Sequence, residues 1–418
     1  MKTSQDVDGL QISRRSTDVG IEGVRGVAAF FVALSHVFYQ NLLTPGLHMI
    51  PLLANTEAGH AGVLIFFVLS GYVISWTNSG AFSAAAARTY LKRRFVRLFP
   101  IYFVAMVLTV LVIRICAMPE SLRVVVGSFL CLQNFNGYFT PGLNPPRVNG
   151  PLWSLNYELL YYALFLLLWR YKPRLSWVFL PALFAGILCW FAPQFMPPFI
   201  ASYSCGWVIW ASGWWLSRLP VRAGGAKEWA PIATWILLIV ANHHINGVAR
   251  VFNALHLYSN DAGMVNIADL GSLPAILLVL AAVTRRQLPC RLWFVVAAWA
   301  VCLVPIAGML FTGRLATHAS WVFGAGAAAL AVLLTGWRSE HWLRAFAWFG
   351  GISYAFYVVH YPLLYLVRLA PFPDATLAGF VARLVVWVAA TLGLSWFLER
   401  RFQPFVRARL FKGNGSSR

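Results

Sequence analysis

Long apolar segments recur along the whole chain of 418 residues, and they restrict its fold more than any other feature. Two of them, 346–367 and 377–398, each contain one ionisable side chain apart from tyrosine, His360 and Arg383 respectively. Charged residues make up only 11% of the chain, whereas soluble domains contain about 25%. Apolar runs of this length can cross a bilayer as helices. The sequence therefore predicts an all-α, polytopic integral membrane bundle.

The basic residues give the predicted topology. The net charge is +20, but the Lys and Arg clusters lie between the apolar segments, and alternate loops contain few of them. This pattern indicates that the basic loops are cytoplasmic, and it argues against nucleic acid as a partner. An even number of helices, about 10 to 12, places both termini in the cytoplasm. We expect Arg14, Lys227 and Lys412 inside, and Asn136 and Asn260 outside.

Three segments follow from this topology. They are a cytoplasmic N-terminal tail (1–21), a multi-pass membrane domain (22–398) and a basic cytoplasmic C-terminal tail (399–418). The first twenty residues are polar and lack the apolar core of a signal peptide. The six cysteines show no metal-ligand spacing, so we expect buried free thiols and no metal site.

One carboxylate interrupts a predicted membrane helix. Glu158 lies in the segment "NGPLWSLNYELLYYALFLLLWR" (149–170). A bare carboxylate in hydrocarbon costs several kcal/mol, so Glu158 needs a partner. His36, in the first apolar segment, lies at a similar estimated depth below the outer surface and is a candidate partner. A His36–Glu158 pair would either orient a reactive imidazole or only lock two helices together.

Two further groups of polar residues lie in or beside the first three apolar segments. Arg25 lies eleven residues before His36, close to three helical turns, so both side chains face one side of a helix. The two residues could outline a polar track through the protein. Alternatively, Arg25 extends its side chain to the membrane surface and His36 is a core histidine bonded to a neighbour. Ser70 and Gly71 interrupt an apolar run and suit either the close approach of a ligand or small-residue helix packing.

Arginines also cluster where the third apolar segment begins. Arg94 and Arg97 share a helix face at the cytoplasmic border, and Arg93 adds a third guanidinium. This cluster suits a phosphate clamp for an anionic cytoplasmic ligand, and it equally suits contact with lipid headgroups.

Other polar residues lie near the predicted outer ends of the helices. His360 precedes Pro362 in the outer half of a segment, whereas Asp269 and the His243–His244 pair are interpreted as water-facing or interfacial. The outer loop 117–151 combines amides with aromatic rings, which suits a sugar or an ordinary interfacial loop.

Taken together, five motifs resemble those of the membrane acyltransferase family 3. They occur in the family's order and span most of the chain. The motifs are Arg25-x10-His36, "FFVLSGY" at 66–72, "RFVR" at 94–97, "WSLNYE" at 153–158 and "SYAFYVVHYPL" at 353–363.

The resemblance implies an enzyme of the bacterial inner membrane that moves an acyl group, usually acetyl, from cytoplasmic acyl-CoA to a hydroxyl group. The usual acceptors are extracytoplasmic or membrane-linked glycans, and some are antibiotics or lipids. The chain resembles the members without a fused esterase-like domain. The family usually has about ten spans, which places the predicted helix 292–311 in doubt.

The resemblance also implies roles for individual residues. His36 is the expected general base, Glu158 its orienting carboxylate, and Arg25 a donor to the developing oxyanion. Acyl-CoA, most often acetyl-CoA, is the co-substrate, and no bound cofactor is expected. The residues expected to bind acyl-CoA or the acceptor are Ser70, Gly71, Tyr72, Arg93, Arg94, Arg97, Trp153, Ser154 and His360.

Two other classes of protein account for part of the pattern. A transporter or flippase without acyl-transfer chemistry also has many spans and buried polar residues. A membrane scaffold has no use for so many buried polar groups. The sequence leaves open the acceptor, the acyl chain length, a covalent acyl-enzyme and the oligomeric state.

Overall fold

The structure is a computed structural model, and it describes residues 4–39, 43, 58–133, 143–192, 198–222, 231–255, 264–337 and 341–411. Throughout these ranges the chain is helical, and its single β feature is an isolated bridge between Val221 and Arg286. The predictions for Asn136, Lys227, Asn260 and Lys412 fall outside the described residues.

The described helices are given in chain order. They are α1 (Ser4–Tyr39), α2 (Gly59–Thr77), α3 (Ala84–Ile115), α4 (Leu122–Phe129), α5 (Trp153–Tyr171), α6 (Leu175–Phe191), α7 (Pro198–Ser217), α8 (Ile232–Ile245), α9 (Gly247–Ala254), α10 (Leu273–Thr284), α11 (Arg291–Phe311), α12 (Ala319–Leu333), α13 (His341–Gly350), α14 (Ser353–Arg368), α15 (Leu377–Phe397) and α16 (Gln403–Phe411). Short 3-10 helices, Arg147–Leu152 and Ile267–Ser272, precede α5 and α10, and a π-helical turn, Leu398–Phe402, joins α15 to α16.

The predicted all-α membrane bundle is confirmed. Among the described residues, seven helices are long and apolar enough to cross a membrane, and the number rises to eight if α8 and α9, bent by 42°, form one span. The seven include Arg291–Phe311, the segment that the family's usual count placed in doubt. The total of 10 to 12 spans, the cytoplasmic tails and the boundaries of the membrane domain stay predictions.

The chain forms two compact units. The first unit contains residues 1–35, 55–77 and 176–351, and the second contains 36–54, 78–175 and 352–418. In the first unit, α2 packs along α7 through two glycines. A methyl group on Gly71 would meet the Trp210 carbonyl oxygen, and one on Gly213 would meet the Val68 carbonyl oxygen. Gly71 therefore lets two helix backbones approach closely, as in small-residue packing between membrane helices.

The second unit is organised around α14, which contacts α3, α15 and the 3-10 helix Arg147–Leu152. Twelve of its sixteen residues are buried, so it is a central helix rather than an amphipathic one. Pro362 interrupts its hydrogen-bond ladder because proline has no N–H to donate to the Val358 carbonyl. The Asn149 side-chain amide donates to that carbonyl instead, at 3.1 Å.

A second proline in this unit is compensated in the same way. Pro100 lies inside α3 and cannot donate to the Val96 carbonyl, four residues earlier. The amide of Gln403, from α16, reaches the Val96 carbonyl at 3.5 Å and the Arg97 carbonyl at 2.7 Å. Side chains from distant parts of the sequence thus complete both helices at the turns that carry Arg97 and His360.

Candidate active site

Two histidines meet in the second unit. Nδ1 of His36, on α1, lies 3.0 Å from Nε2 of His360, on α14. His360 has no exposed surface, whereas His36 is partly exposed. The ring of Tyr361 also contacts His36 edge-on, with the ring centroids 5.0 Å apart. His360 is therefore a direct neighbour of the predicted general base.

The hydrogen bonds of His360 determine which nitrogens carry protons. Its Nδ1 lies 2.8 Å from the Tyr357 carbonyl oxygen and 3.1 Å from that of Phe356. A carbonyl only accepts, so Nδ1 of His360 must be the protonated nitrogen, and Nε2 of the neutral ring is an acceptor. His36 must then donate from Nδ1, which makes its Nε2 the basic nitrogen. His360 thus fixes the tautomer that a general base requires.

The segment "WSLNYE" holds α14 in place. The hydroxyl groups of Ser154 and Tyr357 are 2.7 Å apart, and the Tyr357 hydroxyl also donates to the Pro151 carbonyl. Trp153 is buried and packs edge-on against Tyr157. Ser154 therefore positions the helix that carries His360, whereas the ring contact of Trp153 lies within α5. The predicted roles of Ser154 and Trp153 in substrate binding stay predictions.

Glu158 has a different partner from the one predicted. The Tyr162 hydroxyl, one turn further along α5, donates to Oε1 of Glu158 at 2.7 Å. The pairing of Glu158 with His36 stays a prediction. The spacing of four residues brings the two side chains onto one helix face, so a local partner satisfies the carboxylate.

The contacts of α5 show where Glu158 lies along α3. The Arg94 guanidinium lies over the Tyr162 ring, 5.9 Å from its centroid, so Glu158 is level with the arginine turn of α3. The outer end of α3 lies at Ile115, about 30 Å beyond Arg94 along the helix axis. Accordingly, α5 begins well below that end: Asn149, in the preceding 3-10 helix, already contacts Thr109 at 2.9 Å.

Arg94 is held between two tyrosine rings and has unused hydrogen-bonding capacity. Its guanidinium carbon lies 5.8 Å from the Tyr90 centroid, and the Tyr90 hydroxyl donates to the Tyr162 carbonyl at 3.1 Å. Its Nε is buried and has no hydrogen-bond partner among the described residues. Arg94 is therefore suited to receive an anion.

Arg97 is already engaged. Its Nη1 donates to the Glu399 carboxylate and, at 2.7 Å, to Oε1 of Gln403. The side chain of Glu399 is 3% exposed, and the Tyr354 ring lies below the guanidinium at 5.4 Å. Arg97 therefore neutralises a buried carboxylate and links α3 to the end of α15. Arg93, by contrast, is exposed.

A polar line follows one side of α14. Tyr354 lies next to Arg97, Tyr357 bonds to Ser154, and His360 bonds to His36. Tyr354 and His360 are six residues apart, about 9 Å along the axis. The line connects the arginine turn to the imidazole pair within the second unit.

The other predicted residues lie in the first unit. Arg25 forms an ion pair with Glu22 at 2.5 Å. Tyr72 is buried, and its hydroxyl accepts from Nε of Arg286 at 3.3 Å. Gly71 packs against α7, as described above, and Ser70 is partly exposed. These contacts are structural, and the predicted roles of the four residues in binding and catalysis stay predictions.

Sequence reasoning missed several members of the second-unit site. Tyr162 could have been found from its spacing of four residues after Glu158, a helical contact distance. Glu399 stands directly after a long apolar segment, but only its burial against Arg97 identifies it as part of the site. The missed residues are Tyr90, Tyr162, Tyr354, Tyr357, Glu399 and Gln403.

Comparisons with known proteins agree on one activity class. Residues 18–400 match the family described as "Acyltransferase domain". The chain is also similar to "Acyltransferase MdmB" of Streptomyces mycarofaciens, with 26% identity over 182 residues. That match covers 40% of this chain and 44% of the relative, so it spans less than half of either protein. No solved structure matches the chain.

Proposed function

Because the chain belongs to the family of acyltransferase domains, we propose that it transfers an acetyl group from acetyl-CoA to a hydroxyl of an extracytoplasmic or membrane-linked glycan. Acyl transfer itself follows from the family. The acyl-CoA donor, the acetyl group, the glycan acceptor and a bacterial inner membrane location belong to the proposal.

The observation that carries the proposal is the hydrogen bond between His36 and His360. It leaves Nε2 of His36 as a basic nitrogen on a partly exposed ring, while a fully buried ring holds the tautomer. In the proposed step, Nε2 takes the proton of the acceptor hydroxyl as its oxygen attacks the thioester carbonyl. The C–S bond of the tetrahedral intermediate then breaks, and the imidazolium returns the proton to the departing CoA thiolate.

The arginine turn is the proposed site for the donor. Arg94 offers a guanidinium whose Nε has no partner, and the exposed Arg93 adds a second positive charge. Guanidinium groups suit phosphate because they bind it through two parallel hydrogen bonds. Arg97 contributes less to the donor, since Glu399 already compensates its charge.

The distances suit an extended pantetheine arm. Tyr354, beside Arg97, and His360 are about 9 Å apart along α14. A chain of a dozen bonds spans roughly 15 Å when extended. An acyl-CoA whose phosphates contact Arg94 could therefore present its thioester near His36. Glu158 acts in this scheme as a positioning residue that fixes Tyr162 beside Arg94.

A thioester-cleavage assay tests the proposal without knowledge of the acceptor. Purified protein in nanodiscs is given acetyl-CoA, and free CoA thiol is measured with water as the acceptor. We expect slow cleavage that His36→Ala removes, and His318→Ala, an exposed first-unit substitution, is the control. A transporter or flippase predicts no cleavage by either the unmodified protein or the control.

A further inference from the structure

The first unit contains a polar cavity that the proposed chemistry does not use. Its volume is about 250 Å³, room for roughly eight water molecules at the ~30 Å³ that each occupies in the liquid. Leu64 and Met264 contribute its apolar surface. The polar residues that line it are His60, Asn242, His243, Asn246, Asn266, Asp269 and Ser272.

A histidine and a carboxylate form one side of the cavity. Nε2 of His60, at the start of α2, lies 2.9 Å from Oδ1 of Asp269. The backbone N–H of Asn266 donates to the other oxygen of Asp269 at 2.9 Å, as part of a capping box at the 3-10 helix Ile267–Ser272. The carboxylate is therefore fixed by the backbone, and it orients the imidazole of His60.

Asn242, which also lines the cavity, has an unsatisfied acceptor. Asn242 is 4% exposed, and its Nδ2 donates to the Ser272 hydroxyl at 2.8 Å. Its Oδ1 is buried and has no hydrogen-bond partner in the described part of the chain. An acceptor left unpaired in a buried position destabilises the protein, so a donor from a bound molecule would be favoured there. His243 lies beside this group, with its ring 6.1 Å from that of His60.

The cavity lies at one end of the first-unit helices, and the basic residues that flank these helices lie at the other end. Arg285 and Arg286 follow the far end of α10, whereas Asp269 and Ser272 precede its beginning. Because basic flanks mark the cytoplasmic side, the cavity is on the outer side of the membrane.

The chemistry of the lining selects a class of ligand. Both carboxylate oxygens of Asp269 are already hydrogen-bonded, one to His60 and the other to the Asn266 backbone N–H, so the carboxylate does not need an ammonium ligand. No group of three or more metal-binding side chains occurs among the described residues. The site instead combines donors and acceptors with a small apolar surface, which matches a ring that carries several hydroxyl groups.

We propose that this cavity binds one pyranose ring of the acceptor glycan from the outer side, with a hydroxyl group donating to Oδ1 of Asn242. The inference rests on the proposed transfer to a glycan hydroxyl. It adds a binding site that is separate from the residues assigned to acyl transfer.

The site can be tested directly by measuring whether a bound sugar protects the cavity histidines from chemical modification. The full chain, in nanodiscs prepared without glycoside detergents, is treated with diethylpyrocarbonate, and modification of each histidine is measured by mass spectrometry. The probe is a mixture of methyl glucoside, methyl galactoside and methyl mannoside. We expect it to slow modification of His60 and His243 but not of His318, which is exposed and outside the cavity. Tetrahydropyran, the same ring without hydroxyl groups, should give no protection.

Two variants connect the protection to the proposed contacts. Asn242→Leu removes the amide at similar size, and Asp269→Asn removes the carboxylate. Each should raise the glycoside concentration for half-protection about tenfold, the effect of one lost buried hydrogen bond. Equal protection by tetrahydropyran, or no protection of His60 and His243 by the glycosides, would overturn the inference and indicate a cavity that holds water only.

The two proposals fail in different ways. If the protein cleaves acetyl-CoA but glycosides give no protection, the cavity has no role in acceptor binding and the acyltransferase proposal stands. If glycosides protect the histidines but no thioester is cleaved, the binding site stands and the donor proposal fails.

Discussion

Nδ1 of His36 lies 3.0 Å from Nε2 of His360, and this hydrogen bond joins two residues that are 324 positions apart in the chain. Since the other nitrogen of His360 is bound to backbone carbonyl oxygens, His36 donates and keeps Nε2 as its basic atom. In the proposed mechanism, the buried imidazole of His360 therefore takes the orienting role that the sequence analysis gave to the carboxylate of Glu158.

Arg94 is predicted to bind the phosphates of the donor. Arg94→Ala should raise the KM for acetyl-CoA by an amount equivalent to about 1.5–3 kcal/mol, the value of a hydrogen bond to a charged group. Arg94→Lys should restore only part of this, because lysine cannot form the bidentate contact. Steady-state kinetics measure both changes. A collapse of kcat at unchanged KM would assign Arg94 to the chemical step instead.

Arg97 is predicted to be mainly structural. Arg97→Ala leaves the buried Glu399 carboxylate unpaired, and breaking a buried ion pair costs about 3–5 kcal/mol. The yield of folded protein and its thermal midpoint should fall. Arg97→Met combined with Glu399→Leu removes both charges and should recover most of the loss. If the single variant is as stable as the unmodified protein and only binds acetyl-CoA poorly, the structural role is excluded.

Glu158 is predicted to act through Tyr162 and Arg94 rather than through His36. Glu158→Gln keeps a hydrogen-bond acceptor for the Tyr162 hydroxyl but removes the charge beside Arg94. We expect a higher KM for acetyl-CoA and little further change when Arg94→Ala is added, because residues that act together are not additive. Coupling of Glu158→Gln to His36→Ala, with KM unaffected, would restore the pairing that the sequence suggested.

A substitution at Gly71 distinguishes a role in helix packing from a role in ligand binding. Gly71→Ala places a methyl group against the backbone of α7, so the yield of folded protein should fall, while the folded fraction keeps the normal KM for acetyl-CoA. Gly326→Ala, on the exposed side of α12 with no atoms within 4 Å of the added carbon, is the matched control and should be neutral or stabilising. A raised KM in well-folded Gly71→Ala would favour a binding role.

Much of the fold could be predicted because membrane helices leave a strong pattern of apolar length and flanking charge. α11 (Arg291–Phe311) and α15 (Leu377–Phe397) both occur close to the apolar segments 292–311 and 377–398. The bend between α8 and α9 was not predicted, although the dipeptide Asn246-Gly247 stands at it and favours a turn. It depends on the left-handed backbone at Asn246.

The sequence suggested candidate residues for the site, but it did not indicate which residues they contact. The sequence alone suggests a general base at His36 and a phosphate contact at Arg94. Their partners depend on the depth at which each helix begins, and an error of a few residues moves a side chain by one or two turns. Glu158 illustrates this, because α5 starts lower than the apolar pattern suggests. The contact between His60 and Asp269 joins residues 209 positions apart, and no local spacing indicates it.

The most direct test of the account is acetyl-CoA cleavage per folded molecule in His36→Ala, His360→Ala, His360→Gln and the double alanine variant. His36→Ala should lower kcat by about 10²–10⁴-fold, the usual contribution of a general base. His360→Ala should lower it by about 10- to 100-fold, as when the group that orients a functional imidazole is lost. His360→Gln retains a hydrogen-bond acceptor and should lower kcat less than His360→Ala does. The double variant should be little worse than His36→Ala alone. Full activity in well-folded His36→Ala, or independent and additive losses from the two histidines, would contradict the central claim that His36 is a base oriented by His360.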